Sequence, residues 1–150
     1  MRFSRLCGPV VMLCLCLLWG VAADAQEHSI GEIRTAQDAR IARAGVDIAA
    51  VAGATLEEKD TVITGSGGSV GFVLNDNSVI TLGPNSRMSL DEYAFEPQDG
   101  KVSLIGNLLT GTLEYISGKI SKISKDAAKF RTPYTTVAAR GTRMLIRAKE

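Results

Sequence analysis

Between Thr61 and Leu90 the chain reads TVITGSGGSVGFVLNDNSVITLGPNSRMSL. Residues 61–64, 70–74 and 78–82 are short alternating runs, and 87–90 follows after Gly83-Pro84-Asn85. Side chains that alternate with a period of two suit strands with one buried face. The stretch therefore predicts consecutive antiparallel strands of an all-β domain. Asn75-Asp76-Asn77-Ser78 lies between two β-rich runs and reads as a hairpin turn, because asparagine and aspartate tolerate left-handed backbone. Pro84-Asn85 and residues 97–100 mark further turns.

The remaining segments extend this pattern. Residues 33–51 hold enough alanine for a helix. The alternation of Ala39-Arg40-Ile41-Ala42-Arg43, followed by Ala44-Gly45, favours a strand and a turn. Residues 102–105 and 112–116 read as two strands joined through Gly106 and Gly111. Residues 130–132 and 142–146 read as closing strands. Ile116, Ile120, Ile123, Ala127 and Phe130 recur at helical spacing with lysines between them. Gly118 and the interspersed serines shorten this to at most one short helix within residues 119–127. The expected fold is a compact multi-stranded antiparallel sandwich, or a short solenoid-like stack of sheet.

The N-terminus reads as a targeting segment. Arg2 and Arg5 precede an uncharged run from residue 8 to 23, and Ala23-Asp24-Ala25 supplies a cleavage site. That run is shorter than the roughly 20 residues a spanning helix needs. All three cysteines, Cys7, Cys14 and Cys16, fall inside the targeting segment of residues 1–25, so the exported chain is expected to have no disulfide. Residues 26–54 then form a lead and first strands, and residues 55–148 the main domain.

Charge is unevenly placed. Residues 26–118 hold 6 basic and 13 acidic residues, whereas residues 119–150 hold 9 basic and 2 acidic. Such a skew has two readings: an anionic partner, or compensation between neighbouring strands. Residues 141, 143, 145 and 147 would share one face of a strand, aligning Arg143 with Arg147. Arg140, Arg143 and Arg147 are the candidate partner-binding residues.

Catalytic chemistry is poorly represented. His28 is the sole histidine and lies near the expected new N-terminus. The carboxylate pairs Glu57-Glu58 and Asp91-Glu92 would point to opposite faces of a strand. In residues 65–71, GSGGSVG, Val70 takes the third glycine position of a dinucleotide loop and no helix follows, so a turn is expected. Asn75-Asp76-Asn77-Ser78 lacks the spaced glutamate of a calcium loop. The expectation is a non-enzyme with no cofactor and no metal site.

Several stretches together resemble the FecR-like domain. These are Glu58-Lys59-Asp60 with residues 61–65, Asn75-Asp76-Asn77-Ser78, Leu82-Gly83-Pro84-Asn85-Ser86-Arg87, and Leu109-Thr110-Gly111-Thr112-Leu113. Ser117-Gly118-Lys119-Ile120, Arg131-Thr132-Pro133 and Ala139-Arg140-Gly141-Thr142 follow in the same order. Lys59 stands where the family often has glycine, Asn77 where Asp-Gly is usual, and Met144 where an aromatic is frequent. The resemblance implies an extracytoplasmic all-β module. In the best-known members that module receives a signal from an outer-membrane receptor and passes it through a membrane helix to a sigma-factor-binding domain. The expectation here is the exported module alone. It would be a periplasmic or secreted interaction or sensing domain whose partner is an envelope protein. The alternative is a binder of an anionic envelope ligand, a glycan or lipid head group.

Overall fold

The computed structural model describes residues 28–149; the targeting segment expected over residues 1–25 lies outside the described residues. The strands are β1 (Ser29–Arg43), β2 (Val46–Ala49), β3 (Thr55–Glu57), β4 (Thr61–Leu74) and β5 (Val79–Leu82). They continue with β6 (Arg87–Glu96), β7 (Lys101–Ile116), β8 (Ala128–Arg131), β9 (Thr136–Ala138) and β10 (Arg143–Ala148). One short helix, α1 (Lys119–Ile123), joins β7 to β8, and a 3-10 turn occupies Pro97–Asp99. The all-β expectation holds, with one short helix where the isoleucine spacing placed it.

Three long strands organise the sheet. The first half of β7 pairs with β6 and, in parallel, with β8, while its second half pairs with β5 and β10. The start of β4 pairs with β6 and its end with β5. The strand β1 runs beside β4 from Gly31 to Ala42. The sheet thus has two halves that share β1, β4 and β7. Buried Ile33, Ile41, Val62, Phe72, Leu82, Leu90, Leu108, Leu113 and Phe130 from both halves form one apolar cluster. Burying each such side chain contributes about 1.5–3 kcal/mol before chain entropy is counted.

Residues 33–51 form most of a strand and a hairpin. Ala44 and Gly45 both have positive φ, as the tight turn between β1 and β2 requires. The sequence reads residues 26–31 as a short lead, but the strand starts within them. The strand β1 begins at Ser29, and Gly31 is buried where a side chain would meet the Val73 carbonyl at 2.6 Å.

Two expectations fail. Residues 65–68 are not a turn between strands but an irregular stretch inside the continuous strand β4. The register moves from Gln37 opposite Ser69 to Ala39 opposite Thr64, so residues 65–68 face Asp38 alone. A Cβ at Gly68 would lie 2.5 Å from the Asp38 carbonyl oxygen, and one at Gly65 would strike the Asp38 carboxylate. The glycines therefore admit a close approach of β1, which holds both flanks of the bulge in line. Likewise, residues 102–105 and 112–116 belong to the single strand β7. Gly111, at φ 93°, bends it where its partner changes from β6 to β5.

The turn at residues 75–78 exists as expected, with Asn77 at φ 66°. Its aspartate has a structural task. The Asp76 carboxylate is fully buried. It accepts the Ser78 hydroxyl at 2.6 Å, the Ser78 N–H at 3.2 Å, the Ile120 N–H at 3.2 Å and the Tyr93 hydroxyl at 3.3 Å. Ser78 Oγ in turn accepts the Gly118 N–H at 3.0 Å. These bonds tie the β4–β5 hairpin to β6 and to the start of α1.

Burial raises the Tyr93 phenol above its ordinary pKa, and the neighbouring Asp76 charge raises it further. A phenol that keeps its proton longer in the folded chain stabilises the fold fully below the unfolded value. That contribution is lost as pH climbs through the folded value. Stability is expected to fall as pH rises above about 10, the unfolded value. Tyr93→Phe is expected to flatten that decline, which urea midpoints measured across the alkaline range would show.

Candidate functional site: the C-terminal edge strand

The strand β10 follows the loop that carries Arg140, and the three arginines singled out above meet different fates. Arg140 lies off the strand and pairs with Asp126 at 2.7 Å, both side chains largely exposed. Arg143 and Arg147 share the outward face of β10, as the alternation requires, with Leu145 between them. Arg143 forms an ion pair with Glu114 on β7. Among the described residues no carboxylate lies within ion-pair distance of Arg147. The basic segment is thus compensated at two of the three positions, and exposed ion pairs of this kind contribute about 1 kcal/mol or less.

The backbone of β10 is more informative than its charges. This strand pairs with β7 and, among the described residues, with no other strand. The Ser117 N–H donates to the Thr142 carbonyl at 3.0 Å, which makes that pair a hydrogen-bonded one. Antiparallel ladders alternate, so Met144, Ile146 and Ala148 direct their N–H and C=O groups to β7. Arg143, Leu145 and Arg147 direct theirs away, along an open edge.

The side chains reinforce this division. Ile146 and Ala148 are buried and Met144 packs on the core, whereas Leu145 is 75% exposed. Across the ladder from Arg143 stands Ile116, also exposed. Leu145 stands opposite Glu114 and diagonal to Ile116, between the two arginines. The alternation of the sequence already placed Leu145 beside the arginines on one face. Its exposure, and the open edge, depend on which strands reach β10, and no local signal reports that.

The carboxylate pairs are dispersed. Glu57 pairs with Arg43 at 2.7 Å, Glu58 accepts the Tyr93 N–H at 3.2 Å, and Asp91 accepts the Ser89 hydroxyl at 2.6 Å. Asp60, buried, takes both arms of the Arg43 guanidinium at 2.7–2.8 Å. Arg43, Glu57 and Asp60 tie β1 to β3 and to the residue before β4, whereas Glu58 and Asp91 bond to β6.

A family model for FecR proteins matches residues 60–150. The chain belongs to the FecR family. No curated protein and no solved structure matches it. The FecR match begins at Asp60, yet β1, β2 and β3 precede it and complete the same sheet. Two departures from the FecR pattern fall on special backbone. Lys59 and Asn77 have φ of 71° and 66°, the left-handed region that glycine takes without cost. Met144, where an aromatic is frequent, still packs against the core. Among the described residues no helix is long and apolar enough to cross a membrane.

Proposed function

We propose that this FecR domain is a periplasmic, non-enzymatic docking module, and that β10 accepts an extended segment of another envelope protein as an added strand. The open edge of β10 carries this reading, because its outward N–H and C=O groups fit strand addition. Arg147, with no carboxylate partner among the described residues, favours a segment with an acidic residue at the matching position. Leu145, between Arg143 and Arg147, favours an apolar residue at the centre. The family relationship supports a signalling role, and the N-terminal pattern of Arg2, Arg5 and the Ala23-Asp24-Ala25 site supports export.

A photo-crosslinking residue at Leu145 tests the reading in intact cells. One dominant protein adduct is expected there, and none from the same residue at exposed Ser66, in the bulge of β4. Equal adducts at both positions, or none at Leu145, would overturn it. The alternative of an anionic ligand held by Arg140, Arg143 and Arg147 has less support, since Arg140 and Arg143 already have carboxylate partners.

A further inference from the structure

On the other half of the sheet, Arg40, Ile63, Arg87 and Thr110 lie side by side on four neighbouring strands, β1, β4, β6 and β7. They line a shallow groove of about 290 Å³ together with Thr64, Asn85 and Ser86. A second groove of about 440 Å³ continues from it, lined by Pro84, Asn85, Thr110, Gly111, Ala148 and Lys149. Asn85 and Thr110 belong to both. No carboxylate lines either groove, although the acidic residues of the chain before residue 119 outnumber the basic ones.

The Thr64, Ser86 and Thr110 hydroxyls already donate to backbone carbonyls, which leaves the two guanidinium groups and the Asn85 carboxamide as the groove's available donors. Asn85 sits at φ 49°, and its backbone is clamped by an N–H bond to the Gly65 carbonyl at 2.9 Å and by the Thr110 hydroxyl on its carbonyl at 3.2 Å. Its carboxamide has no hydrogen-bond partner among the described residues. Arg87 has no ion-pair partner among them either, and Arg40 has only a 3.4 Å contact to exposed Asp47. Arg40 and Arg87 lie two strand spacings apart, about 10 Å along the sheet. Cations so spread, with a free carboxamide beside them, suit a chain that alternates acids and hydroxyls.

We propose that this continuous groove binds an acidic oligosaccharide. Its uronate-type carboxylates would pair with the Arg87 and Arg40 guanidinium groups, and its hydroxyls with the Asn85 carboxamide. Charge-assisted bonds from arginine supply the affinity, and the carboxamide, both donor and acceptor, reads the sugar. The site touches β10 only at its end, through Ala148 and Lys149, and does not involve the outward edge of Arg143, Leu145 and Arg147.

Titrating the full-length protein with tetragalacturonate, followed by amide NMR, tests it. Shifts confined to Asn85, Arg87, Thr110 and their neighbours are expected, with affinity falling as salt rises. Arg87→Ala is expected to weaken binding by about tenfold or more. Arg131→Ala, at an exposed position of β8, is expected to leave it unchanged, as is Leu145→Pro. The methyl-esterified tetramer, which keeps the scaffold and loses the charge, is expected not to bind. Equal binding of the ester, equal affinity for inorganic phosphate, or no shift with tetragalacturonate would each overturn the proposal.

Discussion

Asp76→Ala is expected to destabilise this FecR domain by about 3–5 kcal/mol, enough to lower its melting temperature by about 10 °C or more. The carboxylate is fully buried and receives four hydrogen bonds, from the N–H and hydroxyl of Ser78, the N–H of Ile120 and the hydroxyl of Tyr93. Alanine leaves those donors buried without an acceptor, and an orphaned buried donor costs far more than a hydrogen bond contributes. Two of them are backbone N–H groups that cannot turn away. Asp76→Asn is expected to fall between, since its amide oxygen can accept while its NH₂ must face a donor. Tyr93→Phe leaves the carboxylate with three donors but takes the acceptor from the Asp76 N–H, which donates to the phenol at 2.9 Å, so about 1–3 kcal/mol is expected. Urea unfolding at constant slope measures each value. An Asp76→Ala cost below that of Tyr93→Phe would show that the network does not tie the hairpin, β6 and α1 together.

Leu145→Pro is expected to abolish docking while leaving the fold intact. The N–H of Leu145 points away from β7, so proline there removes no ladder bond, and its side chain is already exposed. A stability change of about 1 kcal/mol or less is expected. For an arriving strand the same change removes the central donor and places a ring in its path. A loss of about tenfold or more in affinity is expected. Ile146→Pro makes the contrast. Its N–H faces β7 and its side chain is buried, so it is expected to cost about 3 kcal/mol or more. The pair separates the edge from the strand, two things that most substitutions in β10 would alter together.

Much of this fold was legible because its cause is local. The alternation of residues 61–64, 70–74 and 78–82 follows from one buried face, and the turns at residues 75–78 and 84–85 from residues that tolerate positive φ. The glycine clusters misled, since glycine serves close approach as well as turning. At residues 65–68 it makes room for Asp38, and at Gly106 a Cβ would lie 3.1 Å from the Phe130 ring. In both places the strand continues, because a long partner already holds each side. The parallel pairing of β8 with β7 and the strand β9 also escaped a local reading. Both depend on where α1 returns the chain.

The candidate site was legible in part. Spacing put Arg143 and Arg147 on one face, and the structure keeps them there. Composition suggested a basic surface, but Arg140 and Arg143 are matched by Asp126 and Glu114. That matching depends on the register of β10 against β7 and on the fold of the loop before it. The open edge itself is a property of strand order, which no stretch of sequence encodes alone. Arg40 and Arg87 lie 47 positions apart in the chain and become neighbours only through Ile63.

The most direct test of the docking account places the photo-crosslinking residue at Lys149, just beyond β10, and compares the wild-type edge with Leu145→Pro in intact cells. One dominant adduct is expected with the wild-type edge and its loss in the proline variant, with unchanged protein level and a stability within about 1 kcal/mol of the wild type. An adduct of equal yield in both would contradict the docking account, because a partner that ignores the outward N–H of Leu145 does not add a strand at this edge.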